Sequence, residues 1–268
     1  MSYRRTQMKI SVATVCLFAL LGAAGSVAAE NPFASTWKLN PAKSHLTGDT
    51  MEFAEAGSGA IRSTAGAISY TFKTDGTAYS MGEGSGFTAA WKQLGADAWE
   101  VTFKKDETVA SVDTWKLSPD GKTINIESKG TKPNGENFDD TSVYARIAGQ
   151  SGLLGTWKST EVKASFGVLV DIKASGTDGL VLNIPDLQIT CNAKFDGKDY
   201  PATGPTIANG ITLALTRTDP RSFKMEIKAG GNLLGTDTYT VSADGKTMTN
   251  VSTPLGAQES QTAIYERQ

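Results

Sequence analysis

Cysteine, histidine and any excess of positive charge are scarce in this sequence. Two cysteines and one histidine occur among 268 residues. One of them, Cys16, lies in an apolar run that follows Arg4, Arg5 and Lys9, extends from residue 10 to about residue 24, and is succeeded by the small residues Val27, Ala28 and Ala29. Charge, then an apolar stretch too short to span a bilayer, then small residues is the order of a cleavable secretory signal. Residues 1–29 are therefore expected to form a signal-peptide helix cut after Ala29, leaving a periplasmic or secreted chain. Gln7 stands where a twin-arginine signal wants an apolar residue, so the ordinary secretory route is favoured. No lipid-attachment context follows Cys16. Cys191 is then the only cysteine left, which excludes an intrachain disulfide and leaves packing to hold the fold.

Loss of residues 1–29 removes three of the 26 basic residues and no acidic one, leaving 23 against 28. A mildly acidic chain is a poor match to nucleic acid, whose binders cluster Lys and Arg to displace phosphate counterions. One His and one Cys cannot supply the usual zinc set, and the Asp-Gly pairs lack the alternating carboxylates of a calcium loop. Neither a metal nor another cofactor is expected. His45, in Ser44-His45-Leu46-Thr47, has no identifiable nucleophile or orienting carboxylate and reads as a solvated loop residue. Gly82-Glu83-Gly84-Ser85-Gly86 has no βαβ surroundings and reads as a flexible loop between strands. An enzyme is not expected.

What the chain does have is a duplication. Phe33-Ala34-Ser35-Thr36-Trp37-Lys38 is answered by Leu153-Leu154-Gly155-Thr156-Trp157-Lys158 at an offset of 120. Lys73 to Tyr79 is matched by Lys194 to Tyr200 at 121, Asp113 to Thr123 by Asp237 to Thr247 at 124, and Val143-Tyr144-Ala145-Arg146 by Ile264-Tyr265-Glu266-Arg267 at 121. Four ordered matches at nearly constant offset divide the mature chain into domains at 30–147 and 153–268. The short link Ile147-Ala148-Gly149-Gln150-Ser151-Gly152 restricts how far apart they sit.

Within each copy the apolar period is two. Trp99, Val101 and Phe103 alternate with Glu100, Thr102 and Lys104; Phe223, Met225 and Ile227 alternate with Lys224, Glu226 and Lys228; Ile68, Tyr70 and Phe72 alternate with Ser69, Thr71 and Lys73. Such segments are antiparallel strands with one face on a core and one in water. Asp75-Gly76, Asp120-Gly121, Asp196-Gly197 and Asp244-Gly245 are expected at hairpin turns, where glycine takes positive φ. About eight strands fit per copy, and long helical patterns are absent. The fold class is all-β: two tandem up-and-down antiparallel β-barrels, closed because closure removes exposed edges. A single membrane-spanning barrel is rejected, because lipid penalises outward Glu100, Lys104, Lys224 and Glu226.

The start Gly155-Thr156-Trp157-Lys158 and the close Ile264-Tyr265-Glu266-Arg267 resemble the lipocalin and fatty-acid-binding-protein superfamily. Asp196-Gly197-Lys198-Asp199-Tyr200-Pro201 and Ser242-Ala243-Asp244-Gly245-Lys246-Thr247-Met248-Thr249 resemble, more closely, a bacterial secreted lipocalin-like family. The resemblance implies structural closure of each barrel by a first-strand Trp under a last-strand Arg, hence Trp37 against Arg146 and Trp157 against Arg267. A guanidinium over an indole face gains about 0.5 to 2 kcal/mol. Two departures stand out. Ser35 replaces the opening glycine in the first copy, and Ser142 and Ala263 stand where fatty-acid-binding proteins carry a carboxylate-binding Arg. A fatty acid held in that manner is not expected, and residues 41–59 and 159–176 give no signature of a two-helix lid.

Asp113 shares the parity of Trp115 and Leu117, and Asp237 that of Tyr239 and Val241, so both carboxylates face inward. Each must find donors or lose its charge, either by orienting a ligand or by bonding to the partner strand. Candidate ligand contacts are Tyr70, Trp99, Trp115, Asp113 and Tyr144 in the first copy and Tyr239, Asp237 and Tyr265 in the second. Cys191, in an alternating apolar stretch, reads as a buried, inert thiol rather than a reactive one. In the alignment of the copies Cys191 falls at the place of Tyr70, Ala193 of Phe72, Leu215 of Trp91 and Phe223 of Trp99. The second barrel is therefore expected to hold the larger, mainly apolar cavity, unless Phe195 and Leu187 refill it. The expectation is an exported non-catalytic protein that holds a small apolar or amphipathic ligand in a barrel interior, without nucleic acid and without stable membrane insertion after signal cleavage. The alternative is a cell-envelope protein-interaction module with filled barrels and no small ligand.

Overall fold

The computed structural model describes residues 31–149, 151–165, 169–257 and 259–268. The expected signal peptide, with Cys16 and the cleavage position, lies outside the described residues. The first half contains β1 (Ser35–Leu39), β2 (Thr50–Gly57), β3 (Ala60–Ala65), β4 (Ile68–Phe72), β5 (Asp75–Ser80), β6 (Phe87–Gly95), β7 (Ala98–Lys105), β8 (Thr108–Leu117), β9 (Thr123–Thr131) and β10 (Asn137–Ala148). The second contains β11 (Gly155–Lys163), β12 (Leu169–Ala174), β13 (Gly179–Ile184), β14 (Ile189–Lys194), β15 (Asp196–Thr203), β16 (Ile211–Asp219), β17 (Ser222–Ala229), β18 (Asn232–Val241), β19 (Thr247–Pro254) and β20 (Gln261–Arg267). Two single-turn helices, Pro41–Lys43 and Pro185–Leu187, are the only helical elements among the described residues.

The strands form two ten-stranded antiparallel sheets, as the all-β reading required, with ten strands in place of the expected eight or so. The surplus comes from short, largely exposed strands such as β5, whose residues carry little apolar alternation. Strands β2 to β11 run as one meander, and β11 pairs back onto β2, so the sheet curls round with a seam open between β4 and β5. Strands β12 to β20 form the other meander, and β1 lies between β12 and β20, closing that barrel completely.

The two copies thus exchange their first strands. The repeats divide at 147 and 153, but the barrels do not: the first barrel ends with a strand from the second copy, and the second is closed by the first strand of the chain. The cause is local. Strand β10 ends at Ala148 and β11 begins at Gly155, a link so short that β11 folds straight back on β10, with Arg146 paired to Trp157 and Thr141 to Lys163. At this reversal Gly155 has φ +132°, and a Cβ there would strike the Ala148 carbonyl oxygen. Among the described residues no strand precedes β1, so Ser35 opens it without a hairpin that would require the glycine.

The Asp-Gly pairs divide into two classes. Asp120-Gly121 and Asp244-Gly245 are hairpin turns, each Asp accepting from the backbone N–H two residues on and from the preceding serine hydroxyl. Asp75-Gly76 and Asp196-Gly197 instead begin β5 and β15 with an irregular register. There each carboxylate accepts from a tyrosine hydroxyl, Tyr79 or Tyr200, at 3.0 Å.

Candidate binding cavity

The closure pairs form with the partners exchanged. Arg146 lies over Trp157 at 4.0 Å and Arg267 over Trp37 at 4.4 Å, not Arg146 over Trp37 and Arg267 over Trp157. The strand exchange is the reason, since each arginine meets whichever first strand closes its own barrel. Arg146 donates to the carbonyls of Gly121, Leu154 and Gly152, and Arg267 to those of Gly245, Ala34 and Pro32. Each tryptophan donates to a carbonyl four residues earlier, Trp37 to Phe33 and Trp157 to Leu153.

Cross-strand register sets a polar row across each interior. In the first barrel the row reads Val101, Asp113, Ser128, Asp140 over β7 to β10, and in the second Met225, Asp237, Ser252, Gln261 over β17 to β20. Asp113 is 7% exposed and Asp237 8%. Among the described residues the Oδ1 of each has no hydrogen-bond donor. Burial pushes both carboxyls above the ordinary range; the Ser128 and Ser111 hydroxyls and the Trp115 indole oppose this at Asp113, as Ser252, Asn250 and Tyr239 do at Asp237. Trp115 Nε1 itself completes no hydrogen bond.

A carboxyl raised in the folded state costs nothing at pH values below its unfolded pKa, where it is protonated in both states. The penalty grows as pH rises through the raised value. Asp113 and Asp237 are therefore expected to subtract from stability increasingly as pH rises from the ordinary carboxyl range, about 4, through their raised values. Asp113→Asn and Asp237→Asn are each expected to raise stability at neutral pH by about 1 kcal/mol and to flatten that part of the profile. Urea midpoints measured across pH would count against this account if the variants kept the wild-type slope.

Two cavities adjoin the first row. The larger, about 930 Å³, lies where the first barrel's strand ends meet the second barrel's 187–207 segment; Phe87, Val109, Phe138, Leu187, Ile189 and Ile207 supply most of its apolar wall. Ser111, Ser128, Asp140, Lys105 and Lys132 are among its polar lining, Ser128 and Asp140 facing each other across β9 and β10. The smaller, about 370 Å³, is bordered by Asp49, Ser142, Tyr144 and Gln261. Ser128 and Asp140 border both.

Both cavities border the first barrel, the larger one also the second barrel's 187–207 segment, and the second core that sequence reasoning expected to be roomier is packed with aromatic side chains. Part of the reason is again the exchange, which delivers Phe33 to the second core, where its ring stands edge-on to Phe223 at 4.9 Å. Phe195 packs at 5.5 Å from Phe223, with Arg217 over its ring at 4.1 Å. Leu187 does not refill the second barrel but walls the larger cavity.

Of the eight candidate contacts, only Tyr144 borders either cavity. Its hydroxyl donates to Asp49 Oδ2 at 2.7 Å, while Asp49 Oδ1 accepts from Ser159 and Gln261. Tyr70 accepts from Trp91 Nε1 at 3.1 Å, and Trp99 and Trp115 are core walls. Tyr239 stacks on Phe223 at 4.8 Å and donates to Asp237 Oδ2 at 3.3 Å. Burial pushes the Tyr265 hydroxyl up to about 12. Cys191 is buried, its thiol pushed up to about 11 by desolvation, and its sulfur lies 3.9 Å from the Tyr200 carbonyl oxygen. His45 is exposed, and its backbone bridges to Thr262.

The residues that sequence reasoning missed are Ser111, Ser128, Asp140, Lys105 and Lys132. Parity could have found Ser128, which continues the inward series of Ile124 and Ile126, and Asp140, which shares the face of Tyr144. The lysines could not be found that way, because each is fixed by contacts outside its own strand. Lys105 donates to Asp106 at 2.5 Å and to Asn209 at 3.0 Å, and Lys132 donates to the Ser165 carbonyl at 2.8 Å. No protein-family model matches the chain, and no curated protein matches it.

Proposed function

We propose that the mature protein is an exported, non-catalytic binding protein of lipocalin-like type that takes a small apolar or amphipathic molecule into the larger cavity. The observation that carries this reading is a space of about 930 Å³ whose lining combines Phe87, Val109, Phe138, Leu187, Ile189 and Ile207 with polar and charged side chains, the mixture by which small-molecule sites hold an apolar body and orient a polar group. The packed second barrel serves as wall and support. The only histidine, His45, is exposed and tied by its backbone to Thr262, away from Ser111 and Ser128 in the cavity lining.

Titration of the mature chain with an environment-sensitive naphthalene dye tests the reading. Saturable enhancement at one site is expected, with energy transfer from the first barrel's tryptophans. Ala110→Phe, which fills the cavity from its wall, is expected to weaken the dye by about tenfold. Absence of saturation, together with envelope proteins co-purifying with the chain, would instead favour the protein-interaction module.

A further inference from the structure

We infer that the larger cavity prefers ligands whose polar end is a hydrogen-bond donor, an amine above all, received at the Ser111, Ser128 and Asp140 floor with Asp113 behind it. The inference rests on the binding reading above and adds the chemistry of the ligand's head.

Register puts Ser128 directly between Asp113 and Asp140 on the inward face. Neighbouring paired side chains have Cβ atoms about 5 Å apart, so a group resting on Ser128 has a carboxyl on either side. Asp113 Oδ1 is unpartnered among the described residues, and the side chain is more than nine-tenths buried. The Ser111 and Ser128 hydroxyls face Asp113 and favour its charged form. A hydroxyl that turns its proton toward that carboxylate leaves its lone pairs toward the cavity. Asp140 adds a carboxylate whose Oδ1 already accepts from Ser165 N–H at 3.0 Å. The floor is thus built of acceptors, which welcome an ammonium, amine or hydroxyl proton and repel an anionic head.

The cavity's cations do not reverse this. Lys105 is engaged by Asp106 and Asn209, and Lys132 by the Ser165 carbonyl, with Glu136 at 3.8 Å and Asp186 at 3.9 Å. A ligand carboxylate would have to displace those partners. The matching row of the second barrel differs: Gln261 takes the place of Asp140 and spends its amide on Leu46 and Asp49, and Tyr239 donates to Asp237.

Dodecylamine, dodecanol and dodecanoate share one chain and differ only in the head, so their competition with the dye on the mature protein isolates the floor. At neutral pH and below micelle formation, dodecylamine is expected to displace the dye at about tenfold lower concentration than dodecanoate. Asp140→Asn and Asp113→Asn should each shrink that ratio, and Asp237→Asn should leave it. Equal displacement by all three, preference for dodecanoate, or an unchanged ratio in both floor variants would overturn the inference while leaving the pocket intact. No saturable binding of the dye or of any of the three would remove the pocket and the inference together.

Discussion

Deleting residues 31–39 is expected to unfold the second barrel and leave the first standing. Strand β1 contributes both seams that close the second barrel, pairing Trp37 with Val170 on β12 and with Arg267 on β20. Its segment also places Phe33 and Trp37, both at 0% exposure, in the second core. Truncating one buried Phe or Trp costs about 3–5 kcal/mol. Losing two, with the strand that carries them, rivals the whole stability of an ordinary domain, about 5–15 kcal/mol, and bares two unpaired sheet edges. Arg267 would lose the Ala34 and Pro32 carbonyls it now binds. The first barrel draws no strand from this segment. Hydrogen exchange read by region should show amides of 169–267 losing protection while those of 50–163 keep it, and a synthetic 31–39 peptide should restore the lost protection. Unchanged protection of 169–267 in the deleted chain would mean that β1 is not what closes that barrel.

The duplication and its strand faces were legible because alternation is local. Trp99, Val101, Phe223 and Met225 could be assigned inward from their own segments, and all four are buried. Parity also placed Asp113 and Asp237 correctly in the interior. The exchange was not legible from alternation, since both copies offer an aromatic or aliphatic residue four positions before the closing tryptophan. Either first strand satisfies either barrel, and what decides is the length of the link after β10. That length could be read from residues 147–152, but its consequence depends on the hairpin geometry at Gly155. The filling of the second core was not legible for a related reason. Bulk was compared position by position within each copy, whereas Phe33 arrives in the second core from the other copy and Leu187 leaves for the wall between the barrels.

Trp157→Ala is expected to destabilise the first barrel by about 3–5 kcal/mol, although the residue belongs by sequence to the second copy. Trp157 is at 0% exposure in a core shared with Met51, Phe53, Trp91 and Trp115, under the Arg146 guanidinium. Its removal leaves an indole-sized cavity and strips Arg146 of its aromatic partner, while β1 and Trp37 still close the second barrel. The tryptophans separate the two events. The sequence has five; Trp91, Trp99, Trp115 and Trp157 lie in the first core, and Trp37 is the one in the second. In denaturant, the Trp157→Ala chain should lose the emission of the three remaining first-core tryptophans early. Trp37, isolated in a chain whose other tryptophans are replaced by phenylalanine, should report an unchanged midpoint. Trp37→Ala should reverse the order, weakening 169–267 and sparing 50–163. If Trp157→Ala weakened 169–267 instead, each copy would be closing on itself, with Trp157 under Arg267, and the exchange of first strands would be wrong.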